Sequence, residues 1–155
     1  MFSYLKFWIK SSNQHGLHSP FVYNYLTKGL YETKQISKNK QLNWILKTIN
    51  YFKPDSVYVY DSLKPELVKL QCVISDSISN ADLIFIKDYS LDKVNAIVDE
   101  LKPEQLLFIC NSEYDANFQN ELRQNDKIVL VVDFYVGSLI SKRTEQLKQN
   151  FFLRL

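Results

Sequence analysis

A chain of 155 residues with 46% hydrophobic and 23% charged side chains lies in the ordinary globular range and suits a single domain that buries about two thirds of its unfolded surface. Its 19 basic and 17 acidic residues leave a net charge of +2, too even a balance to signal a polyanion, so nucleic acid is not expected as a partner. No run approaches the ~18 apolar residues of a membrane span, the first residues lack the pattern of a cleaved leader, and Cys72 and Cys110, far apart in apolar runs, read as reduced buried thiols of a cytoplasmic protein.

Residues 1–52 read as helical. Phe2, Leu5 and Ile9 fall on one face of a first helix, with Tyr4 and Trp8 one turn apart, and this helix is expected to stop near Asn13, before Gly16. Ser19 suits the N-cap of a second helix with Pro20 at its first position, where a missing N–H is no loss. Val22, Tyr25, Leu26 and Gly29 then share a face. A polar loop runs from Glu32 to about Asn39, and Leu42, Ile45, Leu46, Ile49 and Phe52 give a third helix its 3.6-residue period.

At Pro54 the texture changes. Ser56 to Tyr60 is a strand by composition, Ser62 to Leu70 a short helix with Pro65 in its first turn, and Cys72-Val73-Ile74 a further short strand. Asp82 to Ile86 is a strand, Leu91, Val94, Ile97, Val98 and Leu101 mark a helix, and Gln105 to Cys110 is continuously apolar, as in a buried parallel sheet. Tyr114, Phe118 and Leu122 mark another helix and Lys127 to Phe134 a long strand. Gly137 allows a turn into Ser138 to Ser141, and Asn150 to Leu155 closes as a strand. The order from residue 55 is β-α-(β)-β-α-β-α-β-β-β. Such alternation predicts an α/β fold: a mostly parallel sheet with helices on both faces, antiparallel C-terminal strands and an N-terminal helical cap. Residues 1–52 would be the cap and 55–155 the core of one domain, 1–155.

One segment is too specific for packing alone: His15-Gly16-Leu17-His18-Ser19-Pro20-Phe21-Val22-Tyr23, which holds both histidines. Read from the residues, it is a helix-connecting turn, with Gly16 left-handed, Ser19 capping and the histidines bonding backbone groups. Alternatively, His15 and His18 supply a general base and a substrate ligand. A metal is not expected, because neither cysteine stands at ligand spacing to them. The segment resembles the N-terminal signature of a bacterial family of class I methyltransferase-like proteins, which use S-adenosylmethionine. Two further blocks are similar to that family: Ala81-Asp82-Leu83-Ile84-Phe85-Ile86-Lys87-Asp88, like its central strand, and Val131 to Leu139 followed by Phe151 to Leu155, like its closing β-hairpin.

The resemblance implies a shortened Rossmann-like fold and shows where this chain departs from the pattern. The family places a glycine-rich turn after its first strand, where the backbone approaches the cofactor; here Tyr60 runs into Asp61-Ser62-Leu63-Lys64-Pro65. About twenty residues separate Tyr60 from Asp82 where roughly two βα units of about 30 residues each belong. Lys87 stands where the family has Asp, and Asp88 comes one residue late, on the other face of a strand. Three readings follow. The first is a degenerate methyltransferase-like scaffold with no cofactor expected, acting as a binding or structural protein, its crevice filled by Tyr58, Tyr60 or Tyr89. The second is an active methyltransferase holding S-adenosylmethionine by an atypical loop, with Tyr60, Asp61 and Ser62 at the cofactor, Asp88 near the methyl group and His15 or His18 at the substrate. The third is an interaction module, a homodimer or the binder of a protein partner through an exposed sheet edge. Asp61, Asp82, Asp88 and Asp133 are candidates to line a site at the strand ends, Asp61 and Asp88 foremost because each directly follows a strand; their simpler use is to cap the helices that follow, in competition with Ser62 and Ser90. The first ten residues suggest an interfacial membrane helix or, more simply, a core or dimer stripe. The lysines at 28, 34, 38, 40 and 47 read as a solvated helix surface, with no nucleic-acid motif beside them.

Overall fold

Apolar side chains alternate between two cores along every central strand, and that alternation sets the architecture. The structure, a computed structural model, describes residues 2–12, 17–144 and 147–155, with side chains from Tyr4 onward. Six strands form one mixed sheet: β1 (Val57–Val59), β2 (Leu83–Lys87), β3 (Leu106–Cys110), β4 (Leu130–Asp133), β5 (Ser138–Ser141) and β6 (Gln149–Phe152), in spatial order β1-β2-β3-β5-β4-β6. Leu83 and Phe85, Leu106 and Phe108, and Leu130 and Val132 enter one core; Ile84, Ile86, Leu107, Ile109 and Val131 enter the other. Both faces are covered, which is why these strands read as unbroken apolar runs.

The second face carries α5 (Leu91–Glu100) and α6 (Ala116–Gln124), through Val94, Val98 and Leu122. The first face carries the N-terminal segment and α4 (Lys64–Val68). α1 (Phe2–Lys10) comes first; α2 (Pro20–Asn24) then runs directly into a π-helix, Tyr25–Tyr31, and a polar loop leads to α3 (Lys40–Phe52). Ser19 caps α2 as expected, its hydroxyl accepting from the Val22 amide at 3.4 Å. Beyond Tyr25 the helix widens, and Gly29 lets it seat closely on α3: a Cβ there would lie 2.9 Å from the Tyr51 ring. α3 ends on Lys53 in the left-handed conformation, with Pro54 following it. The segment expected as a cap is therefore one of the two covering layers, sharing a core with the sheet. At its centre the Trp44 indole N–H donates to the Tyr25 hydroxyl at 3.0 Å, Thr48 Oγ1 donates to the Trp44 carbonyl, and Tyr25 completes the chain at 2.6 Å from Thr48 Oγ1.

Three expectations change. First, β5 alone among the described strands runs against the rest. It pairs antiparallel with β3 and β4, whereas β6 lies parallel to β4 on its far side. Ser141 and Gln149 flank Leu130 from opposite sides, two strand spacings or roughly 10 Å apart. Second, Cys72 to Ile74 is no strand: it adds one parallel bridge, Val57 to Ile74, at the outer edge of β1. Third, α1 turns Phe7 inward and leaves Leu5 (54% exposed) and Ile9 (70%) in solvent. The left-handed turn expected at Gly16 lies outside the described residues. Gly137 is needed for space and not for a turn conformation: a Cβ would meet the Trp44 ring at 2.3 Å and the Ile109 carbonyl at 2.7 Å, while the positive φ of that turn belongs to Tyr135.

Candidate functional site

Ligands of open α/β sheets bind beyond the carboxyl ends of the strands, so that edge is the place to examine. It divides at β3. On the β1 side, the chain's own groups are turned on one another. Asp88, at the end of β2, takes a left-handed conformation (φ 53°) that Asp tolerates better than most residues. Its amide donates to the Cys110 carbonyl at 3.0 Å, and its carboxylate accepts from the Ser112 amide at 2.6 Å and the Ser112 hydroxyl at 2.7 Å. The ends of β2 and β3 are thereby bolted together. These bonds from Ser112 hold the Asp88 carboxyl below the usual carboxylate range. Lys87 places its amine 5.6 Å from the centroid of the Tyr60 ring at the end of β1, a cation–π contact. Burial first, then the nearby Cys110 and Asp88, push the Tyr60 hydroxyl up, so it stays protonated. Burial likewise raises the Cys110 thiol to about 12, which leaves it inert as a nucleophile at neutral pH.

The other candidates disperse. Asp61 is exposed and pairs with Lys64 at 2.8 Å, which holds its carboxyl below the usual carboxylate range. Ser62 is exposed, and neither it nor Asp61 caps α4, whose cap position carries no side-chain bond. Ser90 caps α5, as expected, with its hydroxyl 3.4 Å from the Lys93 amide. After β1, residues 61–63 form a tight 3₁₀ turn, with the Leu63 N–H donating to the Tyr60 carbonyl and the Lys64 N–H to the Asp61 carbonyl. Tyr58 and Tyr89 sit at the rim of the opposite core. His18 is exposed ahead of α2; His15 lies outside the described residues. Among the described residues no three His, Cys, Asp or Glu stand together to hold a metal, and no helix is long and apolar enough to cross a membrane.

On the β4 side the edge is open. A cavity of about 510 Å³ lies between α1, the end of the π-helix, the first half of α3 and the ends of β4 and β6. Phe7, Leu30, Trp44 and Phe134 supply apolar wall, and Lys40, Lys47 and Arg154 are its charged residues; no acidic side chain lines it. A shallower depression of about 660 Å³ adjoins it, sharing Lys40, Tyr135 and Val136 and extending to Ser112 and Tyr114. Gln41 separates them from the sheet, its amide donating to the carbonyls of Val136 (2.7 Å) and Asn111 (3.2 Å). Below lies Asp133, wholly buried, accepting from the Tyr114 hydroxyl at 2.8 Å and the Tyr135 amide at 3.0 Å, with Arg123 3.5 Å away. Burial outweighs these donors and raises the Asp133 carboxyl. Burial and Asp133 keep Tyr114 protonated as the donor.

Sequence reasoning named none of the residues of this cavity as a site; it read Lys40 and Lys47 as solvated surface. The available signal was Lys40 itself, a cation in the first turn of a helix that has no acidic residue there, against the usual preference at a helix start. Compared with known proteins, the chain matches no family model, no curated protein and no solved structure.

Proposed function

We propose that this chain is a shortened class I methyltransferase-like scaffold without a competent S-adenosylmethionine site, working as a binding protein. One observation carries the reading: at the ends of β1 and β2, where a cofactor would need space and free donors, Lys87 lies over Tyr60 and Asp88 is committed to Ser112. The turn after Tyr60 is a tight 3₁₀ turn without glycine, and the outer edge of β1 carries a single bridge from Ile74 where further βα units would pair. The hairpin β4–β5 closing a parallel sheet and the Ser19-Pro20 helix start are in keeping with the ancestry. Isothermal titration with S-adenosylmethionine and S-adenosylhomocysteine tests it. No heat is expected; binding tighter than about 100 μM, near −5.5 kcal/mol, would overturn it in favour of an active enzyme with an atypical loop.

A second reading, a homodimeric module, is supported by α1, whose Leu5, Trp8 and Ile9 stand exposed together. An uncovered apolar face of this kind is a contact surface in many assemblies.

A further inference from the structure

We propose that the cavity between α1, α3 and the ends of β4 and β6 binds a small aromatic carboxylate, its ring against Tyr4 and Tyr31 and its carboxylate toward Lys40 and Lys47. This rests on the reading of the chain as a binding protein, though not on whether S-adenosylmethionine binds. Four observations converge. The volume of about 510 Å³ falls within the ordinary range of small-molecule sites. The wall presents the exposed rings of Tyr4 and Tyr31, and flat rings stack on such walls at defined geometry; behind them the buried pair Trp44 and Phe134, 5.5 Å apart centroid to centroid, forms a fixed apolar floor.

The charge pattern sets the sign of the ligand. Lys40, Lys47 and Arg154 line the space and no acidic side chain answers them there. Arg154 is already engaged, its guanidinium 4.7 Å from the Trp8 ring centroid and 3.2 Å from the Ser11 carbonyl. Lys47 is held by one bond, its amine donating to the Leu30 carbonyl at 2.7 Å, which leaves further N–H donors on an ammonium that has three. Lys40 opens α3, where the helix dipole disfavours a cation and no acid in the first turn offsets it. The amino end of that helix and two lysines therefore face one apolar chamber. An anion relieves this excess, and the aromatic wall favours a flat organic acid over inorganic phosphate.

The test is isothermal titration of the whole chain with naphthoate, its neutral isostere naphthamide, and the variants Lys40→Glu and Lys47→Gln, with thermal unfolding followed in parallel. Naphthoate is expected to bind tighter than about 100 μM, with naphthamide at least tenfold weaker. Lys40→Glu is expected to weaken naphthoate at least tenfold while leaving the melting temperature unchanged or higher, since an acid suits a helix start. If Lys40→Glu unfolds, Lys47→Gln carries the same expectation of weaker binding. Equal affinity for acid and amide, or no heat from naphthoate at millimolar concentration, overturns the proposal. Heat from S-adenosylmethionine alone overturns both this and the cofactor-free reading. Heat from both ligands overturns only the latter.

Discussion

The two halves of the sheet's carboxyl edge are built from the same residue types and end in opposite states. On the β1–β2 side, Tyr60, Lys87, Asp88 and Ser112 satisfy one another and close the edge. On the β4–β6 side, Asp133 and Tyr114 satisfy one another below the surface, and the cations above them face an open chamber. The difference lies in what covers each half. The first is roofed by short turns, among them the 3₁₀ turn Asp61–Leu63 that follows β1. The second is roofed by α1 and the start of α3, helices that stand off the strand ends and touch them through long side chains such as Gln41. A site persists where the roof is a helix held at a distance.

The sharpest way to break the contrast is Gly137→Ala. The added methyl meets Trp44 at 2.3 Å and the Ile109 backbone at 2.7 Å, so the indole must move toward the chamber. Overpacking of this kind costs about 1–3 kcal/mol, or roughly 3–10 °C in melting temperature for a domain of this size, and naphthoate binding is expected to fall with it. Unchanged thermal unfolding would show that the turn yields instead of the ring.

Asp88→Asn loosens the closed half. Its carboxylate is exposed, so the loss is expected at about 1 kcal/mol or less despite two short bonds. The pH dependence is more diagnostic. A carboxyl held low in the folded state stabilises above its ordinary value near 4, and that stability is lost as pH falls through the folded value. The gap between the natural chain and Asp88→Asn in urea unfolding should therefore close on acidification below about pH 4. Asp133, raised by burial, has the opposite sign: its contribution is full below the ordinary value and is lost as pH rises through the folded one. Asp133→Asn should remove that loss, and parallel curves for the two variants would contradict the assignment.

The smallest effect belongs to the roof of the open half. Ile9→Ser removes an exposed side chain and is expected to change stability by no more than about 0.5 kcal/mol. If α1 is the contact of a homodimer, sedimentation of this variant shows monomer at concentrations where the natural chain associates. A dimer that survives the change places the contact elsewhere.

Much of the scaffold was legible because its signals are local. Ser19 followed by Pro20 announces a helix start, the spacing from Leu42 to Phe52 one helix face, and the apolar runs at 83–87 and 106–110 buried strands. What failed depends on distance or on degeneracy. Tyr4, Leu5, Phe7, Trp8 and Ile9 make α1 apolar nearly all round, so periodicity could not say that Phe7 faces inward. The direction of β6 shows only in its parallel pairing on the far side of β4. The close seat of the π-helix depends on Gly29 meeting Tyr51 on another helix. Asp88 was singled out, but its partner Ser112 lies 24 residues away, and no spacing rule links them. The chamber joins Phe7, Lys40 and Arg154 from three remote segments, and only the folded chain brings them together.

The pairing of the two ends of the described chain has a consequence for the order of assembly. Ser12 donates its amide to Phe152 at 2.8 Å, Tyr31 donates its hydroxyl to the Arg154 carbonyl at 2.6 Å, and Arg154 reaches the Ser11 carbonyl across 143 residues. During synthesis the β1-to-β3 ladder can form as each strand emerges, because its connections are local. The α1 roof has no seat until β6 leaves the ribosome. Non-local closure of this kind is the slow step of folding, so the chamber is the last part of the molecule to exist, and a nascent chain arrested before residue 150 would carry a finished parallel ladder and no pocket.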